Sequence, residues 1–170
     1  VVSDMQVAAA ISAGNYAAST PCTRYVGEPA IAYNVLTVAN IDDRNTASAA
    51  DPQREDDPIT PSSSWGPTAG GRRKPDLAAP GTAIISTNNN WEGTTTDWVS
   101  YSGTCMAAPH VAGAALLLAD YGIVNPLVQK AILIGTAEDK GTSGWDYQYG
   151  WGYLDVGHAW IHRDDWFTNT

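Results

Sequence analysis

The sequence predicts an α/β domain with a mostly parallel sheet flanked by helices, and three observations support this prediction. Segments typical of strands alternate with segments typical of helices, which indicates a layered α/β architecture with a mostly parallel sheet. Sixteen glycines and ten prolines among 170 residues indicate many tight turns. Hydrophobic residues make up 44% of the chain and charged residues 16%, a globular composition. This length fits one domain, or a large part of one.

The predicted strands are short and lie in the first half of the chain. Residues 6–13 form an apolar run that ends at a Gly-Asn turn, so we expect a strand buried on both faces, although its alanines also suit a helix. Residues 35–41 are rich in β-branched side chains, which favour strands. Residues 74–81 and 82–87 indicate two further strands, separated by a Pro-Gly turn, and residues 149–154 a short extended segment.

Three helices are predicted in the second half of the chain. The first begins at Thr104, and because residues 111–118 are apolar on every face we expect it to be buried inside the protein, with Pro109 in its first turn. The second is predicted over residues 125–136, because an Asn-Pro pair supplies a cap and a first-turn proline. The third is predicted over residues 155–161.

Charge and composition exclude several classes of partner. The net charge of -9 and the pI of about 4.5 disfavour nucleic acid and anionic membranes, so we expect neither as a partner. The longest apolar run, residues 111–119, is shorter than the roughly 20 residues of a membrane span. Two cysteines, Cys22 and Cys105, do not make a disulfide framework.

Metal and cofactor signals are weak. The chain has neither a C-x-x-C nor an H-E-x-x-H pattern, so we expect no zinc site. The acidic residues within 54–57 are typical of a solvated surface loop, and a structural calcium site there is the alternative. We therefore expect no metal in the functional site and no cofactor for its chemistry.

Three motifs occur in a fixed order. Residues 12–15 read S-A-G-N, residues 74–81 read K-P-D-L-A-A-P-G, and residues 103–113 read G-T-C-M-A-A-P-H-V-A-G. They resemble the oxyanion-hole segment, the strand and turn before the nucleophile loop, and the nucleophile motif of the subtilisin-like serine proteases, the subtilases. Weaker echoes at residues 32–38, 64–67 and 149–155 extend the resemblance over nearly the whole chain. It implies a subtilisin-like fold and serine-type endopeptidase activity.

The resemblance also assigns roles to individual residues. Where the family carries its nucleophilic serine, this chain has Cys105, at a helix start whose N–H groups favour negative charge. The resemblance implies that the amide of Asn15 is the second oxyanion donor. The expected substrate-binding residues are Ser12, Ala13, Gly14 and Thr104. The first three would line one side of the primary pocket, with the opposite wall missing. The alternatives are a buried structural cysteine at 105 and a simple turn residue at 15.

The Asp and His of the family's triad precede its serine in the chain. By resemblance, both motifs would lie upstream of Val1, so we expect this chain to be the C-terminal portion of a catalytic domain, spanning residues 1–170, whose N-terminal portion supplies them. His110 is five residues from Cys105 and about 140° away around a helix, so we interpret it as a hydrogen-bonded core residue rather than the base. We interpret His158 and His162 as surface residues rather than metal ligands.

The sequence thus predicts an endopeptidase acting on proteins or peptides, with its serine replaced by cysteine. An engineered Ser-to-Cys change, a natural cysteine enzyme and a natural pseudoenzyme are all compatible with Cys105. The alternative function is a non-catalytic module that acts as a binding or inhibitory partner. A relationship to the sedolisins is disfavoured by Asn15, because they carry Asp in the oxyanion hole. By resemblance, we expect an extracellular, secreted protein.

Overall fold

The computed structural model describes residues 7–17, 25–43, 57–89 and 97–165. Its strands are β1 (Ala10–Ser12), β2 (Leu36–Ile41), β3 (Leu77–Pro80), β4 (Ile84–Thr87) and β5 (Trp98–Tyr101). Its helices are α1 (Thr104–Asp120), α2 (Pro126–Gly135) and α3 (Val156–Ile161). The predicted α/β class, with a parallel sheet and helices, is confirmed.

The parallel sheet has the order β1-β2-β3, with Ser12 opposite Val38 and Val38 opposite Leu77. All six residues of the central strand β2 are buried. Within the described residues β1 pairs with β2 alone, and its three residues are only partly buried. The prediction of a first strand buried on both faces is therefore wrong for the chain as it stands.

Strands β4 and β5 form a separate antiparallel ribbon, in which Ile84 pairs with Tyr101 and Thr87 with Trp98. The segment 82–87 was predicted as a strand, but its partner at 98–101 was not. Outward-facing side chains such as Ile85 and Trp98 are 70% and 64% exposed. The ribbon leads directly into the loop before α1, so it sets the position at which that helix begins.

Helix α1 lies across all three strands of the parallel sheet. Its buried face, which includes Val111 and Leu118, packs in the main core with Leu77 of β3. The opposite face of α1 is exposed to solvent: Leu116 is 69% exposed and Leu117 is 51% exposed. The expectation of a helix buried on every side is therefore wrong for this chain.

Pro109 also lies deeper in α1 than predicted. It is the sixth residue of the helix and therefore falls in the second turn rather than the first. A proline at this position has no N–H to donate to the carbonyl of Cys105, four residues earlier. That carbonyl therefore lacks its usual helical donor.

The other two helices begin where their capping residues predicted. The side chain of Asn125 accepts a hydrogen bond from Leu127 N–H at 2.9 Å, and a proline occupies the first helical position of α2. The carboxylate of Asp155 accepts from His158 N–H at 2.8 Å and starts α3. The extended segment before α3 bridges Ala78 and Glu138 through Tyr153. The helical part of the prediction is confirmed in its boundaries.

A buried ionic cluster ties the amino ends of β2 and β3 to α2. The Asp76 carboxylate accepts from Lys74 Nζ at 2.6 Å and Thr37 N–H at 2.7 Å, and it pairs with Lys130 Nζ at 2.8 Å. Burial lowers the pKa of Lys74 from 10.5 to about 8; the Asp76 charge opposes this shift and the Lys130 charge adds to it. The cluster fixes the end of the sheet opposite the candidate site.

Candidate active site

The turn after β1 carries the first group of the candidate site. Gly14 has φ 107°, a left-handed conformation that glycine adopts without strain, and it turns the chain so that Asn15 follows. Ser64 holds this turn from outside: its N–H donates to the Gly14 carbonyl at 2.7 Å, and its Oγ accepts from Tyr16 N–H at 3.1 Å. The only sequence signal for this support was the weak echo at residues 64–67.

The side chain of Asn15 is oriented by Thr104. Its Oδ1 accepts from the backbone N–H of Thr104 at 2.9 Å and from the Thr104 hydroxyl at 3.0 Å. That hydroxyl in turn accepts from Gly14 N–H at 3.2 Å. Because an N–H can donate only to the oxygen of an amide, the contact with Thr104 N–H distinguishes Oδ1 of Asn15 from Nδ2. The Nδ2 end is left without an acceptor among the described residues, and available to a ligand.

Thr104 is itself fully buried. Its hydroxyl is committed to Gly14 and Asn15, so the side chain does not reach a substrate. The structure therefore corrects the expected substrate contact: Thr104 is a positioning residue that joins the turn after β1 to the start of α1.

Cys105 lies in the first turn of α1, next to Asn15. Gly103 precedes the helix with φ 148°, and a Cβ built on it would lie 3.1 Å from Asn15 Nδ2. The Cys105 side chain is exposed, and its Sγ lies 3.9 Å from Ser12 Oγ. N–H groups in the first turn of a helix have no acceptor within the helix. The Cys105 N–H and Asn15 Nδ2 are thus two available donors on residues that line the same cavity.

A cavity of about 260 Å³ opens beside Cys105. Residues 12–14 line one side of it, as the resemblance implied. Gly27, Glu28 and Pro29 line the cavity as well. Whether these residues supply the opposite wall of a substrate pocket stays a prediction. No motif pointed to residues 27–29, because their place depends on how the chain returns before β2.

A second cleft, of about 430 Å³, runs from Cys105 along the β4–β5 ribbon and the first turns of α1. His110 lines this cleft and is exposed, with Nδ1 3.0 Å from the carbonyl of Met106. The prediction of a hydrogen-bonded histidine is confirmed, but its placement in the core is wrong. Within the described residues the one polar contact of Cys105 Sγ is with Ser12, so the structure gives the thiol no base.

The remaining candidate features are not concentrated in one place. His158 is exposed and His162 partly so; their rings meet edge to face, and His162 pairs with Asp165 at 2.6 Å. Over the described ranges, no three His, Cys, Asp or Glu side chains are grouped as metal ligands. Residues 54–56 of the suggested calcium loop, and Cys22, lie outside those ranges. None of the helices in those ranges is both long and apolar enough to cross a membrane.

This fold, a parallel sheet with α1 packed across it and the turn after β1 beside the start of α1, is subtilisin-like. Residues 3–152 match the profile of the subtilase family, peptidase S8, and the chain belongs to this family. The family resemblance carried by the three motifs is thereby confirmed.

Two curated relatives and two solved structures illustrate the similarity. The chain is 35% identical over 145 residues to the serine protease AprX of Bacillus subtilis, covering 79% of this chain and 30% of AprX. It is 31% identical over 149 residues to the extracellular serine protease of Serratia marcescens, covering 77% of this chain and 13% of that protein.

Among solved structures, fervidolysin from Fervidobacterium pennivorans, a keratinolytic enzyme, superposes with a TM-score of 0.68 at 27% identity over 92% of this chain and 23% of its own. The prenylagaramide maturation protease PagA matches with a TM-score of 0.70 at 24% identity, over 95% of this chain and 52% of that chain; this likeness concerns the fold alone. This chain thus spans less than a third of the two curated relatives and at most about half of these structures.

Proposed function

We propose that this chain contributes the nucleophile position and the oxyanion hole of a serine-type endopeptidase. The observation that carries the proposal is the amide of Asn15, whose oxygen is held by Thr104 while its Nδ2 is left open beside Cys105. Two fixed donors next to a nucleophile at a helix start are the arrangement that stabilises a tetrahedral oxyanion. No cofactor is needed for this acyl transfer.

The proposed chemistry begins with attack on a peptide or ester carbonyl by the side chain of residue 105. The new bond joins this side chain to the carbonyl carbon, and the carbonyl oxygen becomes an oxyanion between Cys105 N–H and Asn15 Nδ2. Collapse of this intermediate breaks the bond to the amine or alcohol, which leaves with the proton given up by the side chain of residue 105; the acyl-enzyme that remains is then hydrolysed by water. The cavity lined by residues 12–14 and 27–29 would receive the substrate side chain next to the cleaved bond.

Cys105 makes the present form a poor amidase in this proposal. Sulfur is larger than oxygen and moves the attacking atom within a site shaped for serine, and a displacement of about 1 Å can lower the rate about 100-fold. Activated esters, whose leaving group departs easily, should still react.

A partner segment completes the site in this proposal. The N-terminal portion of the same catalytic domain would supply the Asp and the His that activate residue 105. Three features of the described residues support such a neighbour: β1 pairs on one side alone, α1 presents exposed Leu116 and Leu117, and Cys105 opens into a wide cleft. Membership of the family supports protein or peptide substrates, and a relative named as an extracellular protease supports a secreted location.

Reversion of Cys105→Ser in the intact protein tests the proposal. Peptide hydrolysis should rise at least about 100-fold, while a Cys105→Ala control should stay at the background rate. A Ser variant no faster than the Ala variant would remove the role given to residue 105.

The second candidate, a non-catalytic module that binds or inhibits, is favoured by the cysteine itself. Labelling of Cys105→Ser with a fluorophosphonate separates the two, because only an activated serine reacts. Labelling supports the endopeptidase; peptide binding without labelling or hydrolysis supports the module.

A further inference from the structure

A third cavity, of about 440 Å³, lies at the amino ends of β2 and β3, away from Cys105 and the two cavities beside it. The charged side chains that line it are Arg72, Arg73, Lys74, Asp76 and Lys130. Four cations and one carboxylate leave it three positive charges in a chain whose net charge is -9. A basic cavity in an acidic protein is a local feature that the composition does not predict.

The two arginines are held in place without being neutralised. The Arg72 guanidinium lies 4.4 Å from the centre of the Tyr33 ring, and Arg73 lies 5.5 Å from the Trp145 ring. Arg72 donates one N–H to the carbonyl of Ile31 at 2.6 Å. In the part of the chain that the structure describes, neither guanidinium has a carboxylate partner. Stacking fixes the plane of a guanidinium and leaves its N–H edge available.

The lysines add charge that Asp76 does not balance. Lys130 Nζ donates to Asp76, Val35 and Tyr33, so all three of its N–H groups are used. Lys74 Nζ donates to Asp76 and Val35, which leaves its third N–H without an acceptor among the described residues. One carboxylate thus pairs with two ammonium groups, that of the buried Lys74 and that of the partly buried Lys130, and burial with the nearby Lys130 charge lowers the pKa of Lys74 to about 8. An anion in the cavity would relieve this repulsion.

We propose that this cavity binds a multivalent oxyanion of phosphate size, held by the N–H edges of Arg72 and Arg73. Planar guanidinium groups bind phosphate and carboxylate oxygens through paired N–H donors, which a chloride ion cannot match. The site is separate from residue 105 and does not depend on the chemistry proposed there.

The test measures the thermal unfolding of the intact protein at pH 7 with inorganic phosphate against chloride at equal ionic strength. A site binding phosphate should give a saturable rise in Tm of roughly 2–4 °C at a few-fold excess over the dissociation constant. Arg73→Gln should reduce the rise, and Arg72→Gln with Arg73→Gln should abolish it. Arg163→Gln is the matched control, because Arg163 also stacks on aromatic rings, those of Tyr121 and Trp160.

Two results would overturn the proposal. One is the absence of a saturable rise in the unaltered protein; the other is an equal rise in the double variant, which shows general salt stabilisation. Citrate in place of phosphate identifies the source: a response to both anions indicates general oxyanion recognition, and a response to phosphate alone indicates a phosphoryl group.

Calorimetry with sulfate, which does not titrate near neutral pH, provides a second readout. Bound near Lys74, Asp76 and Lys130, it should raise the pKa of Lys74, so binding at about pH 8.5 should take up protons. Binding without proton uptake would place the anion away from Lys74 and contradict the site.

Discussion

Thr104 is the residue on which the geometry of the candidate site depends. It has no exposed surface, and its hydroxyl and N–H bond to the two residues that form the oxyanion turn. The motif predicted its presence beside residue 105 but not its role, because burial and hydrogen-bond partners depend on the approach of a turn 89 residues earlier in the chain.

Replacing Thr104→Val in the Cys105→Ser background should lower kcat about 10- to 100-fold with little change in KM, because the amide of Asn15 loses one of its two anchors. The free energy of unfolding should fall by about 1–3 kcal/mol, since Gly14 N–H is left unpaired. Thr104→Ser restores the hydroxyl and should restore kcat. The positioning role would be contradicted if kcat changed only in proportion to the loss of stability, or if Thr104→Ser failed to restore kcat.

Glu28 gives the cavity beside Cys105 a negative charge. The sequence motifs left substrate preference open; in the proposed endopeptidase, this exposed carboxylate should favour a basic side chain next to the cleaved bond. In the Cys105→Ser background, Glu28→Gln should lower kcat/KM for a Lys substrate relative to a Leu substrate by about 3- to 10-fold. Glu138→Gln is the control, because Glu138 does not line this cavity. An unchanged ratio would exclude Glu28 from the preference.

Because of Lys74, the free energy of unfolding should vary with pH in the alkaline range. Its pKa is about 8 in the folded protein and 10.5 ordinarily, so between these values the unfolded chain binds more protons. The free energy of unfolding should therefore increase as pH rises from about 8 to 10.5, by up to about 3 kcal/mol from this group. Denaturant titrations across this range should show the increase.

Lys74→Met should remove that increase, whereas Lys140→Met should leave it in place. Lys140 is the matched control because it is also a buried lysine, paired with Glu138 at 3.1 Å. A pH profile that is the same in the unaltered protein and in Lys74→Met would show that another group is responsible.

At the level of elements, the turn after β3 supports the start of α1. Gly103 N–H donates to the Gly81 carbonyl at 2.7 Å, and a Cβ at Gly81 would clash with Asn40 Oδ1 and lie 2.6 Å from the Gly103 carbonyl. Gly81→Ala should therefore destabilise the protein by about 1–3 kcal/mol and displace the loop before residue 105. Chemical denaturation measures the first effect, and hydrolysis by the Cys105→Ser form measures the second.

Gly70→Ala serves as the control for this change, because the nearest atom to a Cβ added at Gly70, apart from its two chain neighbours, is Thr68 Oγ1 at 4.0 Å. It should change stability by less than about 0.5 kcal/mol. Equal effects at positions 70 and 81 would show that the close approach to Gly103 is not what matters.

Elements with local signals were predicted best. The cap and proline at residues 125 and 126 fixed the start of α2, and Asp155 fixed that of α3, because capping is a contact within a few residues. Strand β5 was missed because its four residues are mostly exposed and carry no clear alternation. The exposed face of α1 was not predicted, because a helix that is apolar on every side has no hydrophobic periodicity to indicate which side is buried.

At the level of the whole molecule, the described residues leave apolar side chains exposed to solvent that folded proteins usually bury. Leu116 and Leu117 on α1, and Ile85 and Trp98 on the ribbon, are all more than half exposed. Exposed apolar groups of this kind mark interaction surfaces. The sequence predicted a partner segment through the missing triad motifs, and the structure supports this through different residues.

Expressed alone, this chain should therefore lack a cooperative unfolding transition and a native-like near-ultraviolet circular dichroism signal. Addition or co-expression of the upstream portion of the domain should restore both, since it would cover α1 and pair with β1. A cooperative melt of the isolated chain with a native-like spectrum would refute the dependence.

Residue 105 contributes little to holding this molecule together. Its side chain is exposed and has a single long polar contact, to Ser12, while Asn15, Thr104 and Gly103 are fixed through other atoms. The stability of the site therefore depends on the residues around position 105 and hardly at all on the side chain of residue 105 itself. Serine or alanine in place of cysteine at position 105 should therefore leave the stability of the surrounding fold nearly unchanged.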